Sequence, residues 1–130
     1  MLADYAPVPT LAVSDLKRAR DFYEGVLGFG VRSEVPDGVF YAAGSGTFFV
    51  YPSAYAGTNK ATAMSIQVPV ASFDAEVGAL RSRGVAFQTF EMEGITWDDG
   101  VATFGDNQYR AVWFDDPDGN ILNVESWTAG

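Results

Sequence analysis

The sequence predicts an α+β fold made of two βαβββ modules, with eight strands in all, and two observations support this prediction. A strand-then-helix unit at residues 10–31 recurs at residues 65–86, with Val13 and Val70 in equivalent positions. Short stretches rich in β-branched and aromatic residues follow each unit and are separated by glycine, a pattern typical of strands. Such self-similarity indicates a duplicated architecture.

The first module begins with a strand and a helix. Residues 8–13 alternate between two faces, which predicts a strand. Residues 15–27 place apolar side chains at three- and four-residue spacing, which predicts a helix. Ser14 is the expected N-cap of this helix and Gly28 its stop. Turn-forming residues then divide the chain into three short predicted strands, at 31–35, 39–43 and 47–51.

The second module repeats this order. A helix is predicted from Ser72, its expected N-cap, to Arg83, with Gly84 as the stop. Residues 116–120, Asp-Pro-Asp-Gly-Asn, are expected to form a tight hairpin turn, because their glycine does not match the spacing of a calcium loop. The predicted strands of this module are 63–70, 85–91, 108–114 and 121–127.

A chain of 130 residues is long enough to form one domain that buries about two thirds of its unfolded surface. We therefore expect a single domain over residues 1–130. Its parts are module one at 6–52, a polar linker at 53–61 and module two at 62–128. Residues 91–107 show no clear period and form an insertion relative to the first module.

The composition excludes several classes of function. Cysteine and histidine are both absent, which excludes disulfides, thiol nucleophiles and imidazole ligands. A formal net charge of −9 argues against a nucleic-acid partner, because binding a polyanion requires Lys and Arg. No apolar stretch approaches the ~20 residues that a membrane-spanning helix needs. We expect a soluble, cytoplasmic protein with no nucleic-acid or membrane partner.

Three segments together resemble the vicinal oxygen chelate superfamily, which includes glyoxalase I, extradiol dioxygenases and bleomycin or fosfomycin resistance proteins. They are residues 13–29, which end in Leu-Gly-Phe, residues 73–85, and residues 113–120 with their Asp-Pro-Asp-Gly-Asn loop. The resemblance implies that the two modules form an eight-stranded open cup, the glyoxalase/bleomycin resistance fold. It also implies a small organic ligand in that cup and a homodimer.

The same resemblance implies four metal-ligand positions, and here the residues depart from the superfamily pattern. The four positions are Val8, Val50, Ser65 and Asn123. Valine cannot ligate a metal, and serine and asparagine are weak ligands for divalent transition metals. Of the neighbours on the same face, Thr10, Gln67 and Glu125, only Glu125 is a strong ligand, and one carboxylate does not hold a catalytic metal. The sequence therefore predicts no metal and no other cofactor.

The predicted ligand site combines a few polar groups with an aromatic ring of side chains, as small-molecule sites commonly do. The polar candidates are Thr10, Ser65, Gln67, Asn123 and Glu125. The apolar candidates are Tyr41, Phe48, Val50, Tyr51, Trp97, Phe104, Tyr109 and Trp113, with Phe40 and Trp127 as further aromatic residues. The insertion at 91–107 exposes Trp97 and Phe104, so we expect it to serve either as a lid or as a subunit interface.

These observations leave three functional hypotheses open. The leading one is a metal-independent protein of the bleomycin-resistance type, which binds a planar or aromatic molecule and confers resistance by sequestration. The second is a metal-independent lyase, isomerase or cofactor-free oxygenase that uses Glu125 as a base. The third is an interaction module whose cup is filled by its own Trp and Phe side chains.

Overall fold

The computed structural model describes residues 1–105 and 109–127, without the side chain of Trp127. The chain divides into two compact units, and each contains one β-sheet and one helical segment. The first unit comprises Met1–Ala63 with Asp116–Asn120, and the second comprises the described residues of Met64–Asp115 and Ile121–Gly130. The predicted α+β class with two modules is confirmed. Among the described residues there is no helix that is both long and apolar enough to span a membrane.

The first unit follows the predicted order of strand, helix and three strands, after a short 3₁₀ turn at Leu2–Asp4. Its elements are β1 (Thr10–Val13), α1 (Leu16–Arg20), a π-helix (Asp21–Val26), β2 (Gly30–Val35), β3 (Gly38–Ala43) and β4 (Gly46–Pro52). The sheet order is β1-β4-β3-β2, with β1 parallel to β4 and the other pairs antiparallel.

One face of the first sheet packs against the helical segment. Tyr23 of the π-helix is fully buried, and its ring lies 5.9 Å from that of Tyr41 and 5.6 Å from that of Phe48. The buried side chains of this face are Leu11, Val13, Val39, Tyr41, Phe48 and Val50. The opposite face carries the alternate residues, including Thr10, Phe49 and Tyr51, which are less buried.

The helical segment of the first unit differs from the prediction at both ends. Asp15, not Ser14, is its N-cap, because the Asp15 carboxylate accepts a hydrogen bond from the Arg18 backbone N–H at 3.1 Å. Only Leu16–Arg20 is α-helical, and the segment continues as a wider π-helix to Val26. Apolar spacing does not distinguish these two helix types over a few residues.

The second unit contains a longer helix and five strands. Its elements are β5 (Thr62–Pro69), α2 (Val70–Ser82), β6 (Ile95–Asp98), β7 (Val101–Phe104), β8 (Tyr109–Asp115) and β9 (Ile121–Trp127). The sheet order is β5-β9-β8-β7-β6. The helix starts directly after Pro69, so the predicted cap at Ser72 is wrong, since Ser72 lies within the first turn.

A hairpin replaces the predicted strand at residues 85–91. That stretch belongs to no strand, and the insertion instead forms β6 and β7, which gives nine strands among the described residues rather than eight. Asp99 and Gly100 connect them with φ of 49° and 82°. Two consecutive left-handed residues give the turn that matches the twist of a two-stranded hairpin.

Residues 116–120 form the predicted turn between β8 and β9, and they pack within the first unit. Both carboxylate oxygens of Asp116 accept hydrogen bonds: Oδ1 from the backbone N–H groups of Asp118 and Asn120, and Oδ2 from the Tyr23 hydroxyl at 2.9 Å. Ser14 donates to Asp118 from both its backbone N–H and its hydroxyl. The carboxylates therefore stabilise this loop and the start of the helical segment.

Candidate functional site

The candidate site lies on the face of the second sheet that is opposite α2, called the aromatic face below. Strand register defines this face, because directly paired residues project their side chains to the same side. Trp113 pairs with Asn123, and Phe104 pairs with Tyr109. Arg110 projects to the other side, where its guanidinium lies 4.7 Å from the Phe73 ring of α2.

Five aromatic rings form a connected cluster on this face. Phe90 contacts Trp97 and Trp113 edge-on, with ring centroids 5.2 and 4.9 Å apart. Phe104 lies 6.2 Å from Trp113 and 5.3 Å from Tyr109. Edge-on and tilted packing of this kind suits the electrostatics of aromatic rings. The cluster is therefore a connected set of aromatic rings, of which Phe90 and Tyr109 are exposed and the other three are half-buried.

A groove of about 780 Å³ adjoins the aromatic face. Its lining residues are Thr89, Phe90, Glu91, Met92, Glu93, Ile95 and Trp97. Phe90 is 38% exposed and Met92 is 55% exposed, although both are large apolar side chains. A groove of this volume falls within the range of small-molecule sites.

Ser65 and Asn123, two of the positions at which the resemblance implies metal ligands, are hydrogen-bonded to each other. The Ser65 hydroxyl donates to Oδ1 of Asn123 at 2.6 Å, and Nδ2 of Asn123 donates to the Val112 carbonyl at 3.1 Å. Asn123 is only 1% exposed. Its amide is therefore engaged in holding neighbouring strands together. Gln67 lies on the same side of β5 as Ser65 and is exposed.

Tyr109 and Glu125 form the second polar pair of the aromatic face. The Tyr109 hydroxyl donates a hydrogen bond to Oε2 of Glu125. This hydrogen bond and partial burial raise the pKa of Tyr109 to about 12, because they favour the neutral phenol over the phenolate. The pair therefore offers a carboxylate and a protonated phenol to a molecule on the aromatic face.

The positions that the resemblance implies for a metal do not suit one. Val8 is exposed and precedes β1, and Val50 is fully buried under the helical segment. Ser65 and Asn123 use their oxygen atoms in the hydrogen bond described above. No group of three or more Asp, Glu, His or Cys side chains arranged to hold a metal ion occurs in the described part of the chain. These donors do not fit a divalent transition metal.

Three predicted site residues of the first unit belong to its core instead. Tyr41, Phe48 and Val50 all face the helical segment and are almost completely buried, so they are not exposed on the aromatic face. The Tyr41 hydroxyl is satisfied by Glu24, to which it donates at 2.8 Å. Thr10 and Tyr51 do project from the opposite face of that sheet, and the Thr10 hydroxyl donates to the Val8 carbonyl.

Sequence reasoning missed the residues of the groove. Phe90, Met92 and Ile95 are not among the predicted site residues, because the sequence predicts a regular strand at 85–91 and, at 91–107, an insertion without a clear period. The Asp99-Gly100 pair was an available signal, since Asp-Gly between alternating apolar residues indicates a hairpin. That hairpin would have placed Ile95 beside Phe104.

Comparisons with known proteins agree with the architecture. A family model described as the Glyoxalase/Bleomycin resistance protein/Dioxygenase superfamily matches residues 6–124. No curated protein matches the chain. Solved structures that match include lactoylglutathione lyase from Agrobacterium tumefaciens, at 16% identity and a TM-score of 0.68, covering 94% of this chain and 92% of that one.

Two fosfomycin resistance proteins also match. FosX from Mesorhizobium loti is 15% identical with a TM-score of 0.67, covering 97% of this chain and 94% of its own. FosX from Listeria monocytogenes, determined with Mn(II) and sulfate, is 13% identical with a TM-score of 0.67, covering 96% and 91%. At these identities the likeness is one of fold.

Proposed function

Because this chain belongs to the glyoxalase/bleomycin resistance protein/dioxygenase superfamily, we propose that it binds a small planar or aromatic organic molecule against the aromatic face, without a metal. The membership confirms the resemblance found in the sequence, and the solved relatives confirm the glyoxalase fold. The ligand and the absence of a metal are proposals about this chain.

The aromatic cluster is the observation that supports the proposal. Trp97 and Trp113 lie 6.2 Å apart and are tilted by 58°, so a planar molecule can contact one ring face-on and the other by its edge. Each such ring contact contributes about 0.5–1.5 kcal/mol beyond area burial. The adjoining groove provides the volume, and Glu125 and Tyr109 provide polar groups elsewhere on the aromatic face.

The donor chemistry supports a metal-free site. The two implied ligand positions in the second unit hold a serine and an asparagine that satisfy each other, and neither carries a charge that would balance a divalent cation. The matched structures include fosfomycin resistance proteins. By analogy, we propose that this chain confers resistance by sequestering its ligand.

Isothermal titration against a panel of planar heteroaromatic compounds tests the proposal. We expect at least one compound to bind the wild-type protein, and Trp97→Ala to weaken that binding about tenfold, because one ring wall is lost. Tyr55→Ala is the control, since Tyr55 is 77% exposed and lies in the first unit. A folded protein that binds no member of the panel, or equal loss in both variants, contradicts the proposal.

The Tyr109–Glu125 pair favours a second candidate, a metal-independent lyase, isomerase or oxygenase. In this candidate Glu125 removes a proton from a bound substrate, and the protonated Tyr109 stabilises the negative charge that develops. Turnover should then resist EDTA and be lost in Glu125→Gln. Turnover that depends on added metal contradicts this candidate.

We also propose that the protein is a cytoplasmic homodimer. Support comes from β2, an edge strand of its sheet in which all six residues are exposed, including the apolar Val31 and Val35. An exposed edge strand is a common surface for pairing with another chain. Light scattering during size-exclusion chromatography tests this, and a mass of one chain at micromolar concentration contradicts it.

A further inference from the structure

The charges around the groove are of one sign. Glu91 and Glu93 line it, and both are exposed. Neither carboxylate forms a salt bridge or a side-chain hydrogen bond with another described residue. Glu125 adds a third carboxylate on the aromatic face. Within the described part of the chain, the residues that line the groove include no Lys or Arg.

The arginines of the second unit are placed elsewhere. Arg81 lies on α2 and pairs with Asp99 at 2.9 Å, and Arg110 pairs with Asp74 at 2.9 Å on the face that packs against α2. Arg83 follows the last residue of α2. The groove therefore keeps a negative potential that no lining cation offsets.

The aromatic rings add to this preference. The face of an indole or phenyl ring carries negative charge density, so it attracts a cation placed over it, and Trp is the strongest of these partners. Phe90 and Trp97 line the groove with rings 5.2 Å apart and nearly perpendicular. A positive group in the groove can lie against the face of one of these rings, and the carboxylates of Glu91 and Glu93 line the same groove.

We infer that this groove selects a positively charged organic molecule, with Phe90 and Trp97 as its aromatic wall and Glu91 and Glu93 as the residues that determine charge specificity. The inference rests on the proposed function, because it assigns a charge to the ligand of the aromatic face. The chemical class is a small quaternary or protonated amine that carries an aromatic or alkyl body.

A pair of probes that differ only in charge tests the inference. Phenyltrimethylammonium and tert-butylbenzene have nearly the same shape, and only the first is a cation. We expect the cation to bind the wild-type protein about tenfold more tightly. Both probes can pack on the rings, but only the cation is also attracted by the ring faces and the carboxylates. Raising the salt concentration from about 0.05 M to about 0.5 M should weaken the binding of the cation and leave the binding of tert-butylbenzene unchanged. Titration followed by NMR measures both probes.

Single substitutions locate the charge preference. Glu91→Gln and Glu93→Gln should each weaken the binding of phenyltrimethylammonium by about two- to fivefold. The binding of tert-butylbenzene should not change, since each substitution removes only a nearby negative charge. Glu76→Gln is the matched control, because it removes the same charge from the exposed surface of α2. It should change neither probe.

The outcomes separate this inference from the proposed function. If tert-butylbenzene binds as tightly as the cation, or if all three Gln variants behave alike, the charge inference is wrong and the aromatic site stands. If neither probe binds the folded wild-type protein, the aromatic site itself is wrong. Tight binding of benzenesulfonate in place of the cation also overturns the charge inference.

Discussion

The Ser65 hydroxyl lies 2.6 Å from Oδ1 of Asn123, and this contact joins β5 to β9 at two of the positions for which the resemblance implies metal ligands. The second amide contact of Asn123 reaches the Val112 carbonyl on β8. Asn123 thus links three neighbouring strands of the sheet. A hydrogen-bonded pair holds these positions together.

Asn123→Ala should lower the free energy of unfolding by about 1–3 kcal/mol, because it leaves the buried Val112 carbonyl without that donor. Ser65→Ala should lower the free energy of unfolding by a smaller amount, since Ser65 is more exposed than Asn123. In the Asn123→Ala background, Ser65→Ala should add almost nothing, because the contact is already lost. Urea denaturation of the two single variants and the double variant measures this coupling, and strictly additive losses contradict it.

The protein should need no divalent metal for folding. We expect elemental analysis to find no stoichiometric transition metal. We also expect the melting temperature to be the same with EDTA, Mn²⁺, Zn²⁺ or Ni²⁺. A metal bound to the native state would raise the melting temperature, and EDTA would lower it by removing that metal. If the protein holds one equivalent of metal and Asn123→Ala loses it, Asn123 is a metal ligand and the prediction is wrong.

Glu125→Gln should lower the pKa of Tyr109 from about 12 towards the ordinary value of about 10, because its largest cause is the hydrogen bond to Glu125. The raised pKa means that the Tyr109 hydroxyl holds its proton more tightly in the folded protein than in the unfolded chain. Its contribution to stability is therefore complete below pH 10 and is lost as the pH rises through about 12. Difference absorbance titration against Tyr109→Phe measures the pKa. An unchanged value in Glu125→Gln contradicts the assigned partner.

Tyr23→Phe should destabilise the protein by about 1.5–3 kcal/mol, because the buried hydroxyl donates to a carboxylate. Burial and the charge of Asp116 raise the pKa of Tyr23 well above its usual range, so the hydroxyl is a donor at neutral pH. Tyr55→Phe removes a hydroxyl from an exposed ring, so its free energy of unfolding should lie within about 0.5 kcal/mol of the wild-type value. Thermal and urea unfolding compare the two, and equal losses would refute the role of the Asp116 contact.

The sequence predicted the aromatic face well where polar and apolar residues alternate. In β9, Leu122 and Val124 alternate with Asn123 and Glu125, so the period of two separates the core side from the other side. The pairing of Trp113 with Asn123 then follows from the turn at 116–120. Local pattern and turn chemistry agree here, and both were visible in the sequence.

Residues 48–51 show why the same reasoning failed in β4. Phe48, Phe49, Val50 and Tyr51 are all apolar or aromatic, so no alternation indicates which side meets the helix. A shift of one residue exchanges the two faces of a strand. The sequence alone therefore does not assign Val50 to a side, and the packing of Tyr23 on Phe48 shows which side meets the helical segment.

The segment before the hairpin was misassigned for a related reason. Residues 85–91 alternate like a strand, but a strand also needs a regular ladder of backbone partners. The Gln88 N–H donates to the Trp113 carbonyl at 2.8 Å, yet the segment joins no sheet. Partners far away in sequence determine this outcome, so local periodicity cannot supply it.

Tyr23 and the Asp116 carboxylate that receives its hydroxyl are 93 residues apart along the chain. On the ribosome, the amino-terminal half emerges long before residues 116–120 are synthesised. During that interval Tyr23 and Ser14 lack the carboxylates that they bind in the finished protein. Maturation of the amino-terminal unit must therefore wait until residues 116–120 have been synthesised, and a nascent chain arrested at residue 63 should remain sensitive to proteases.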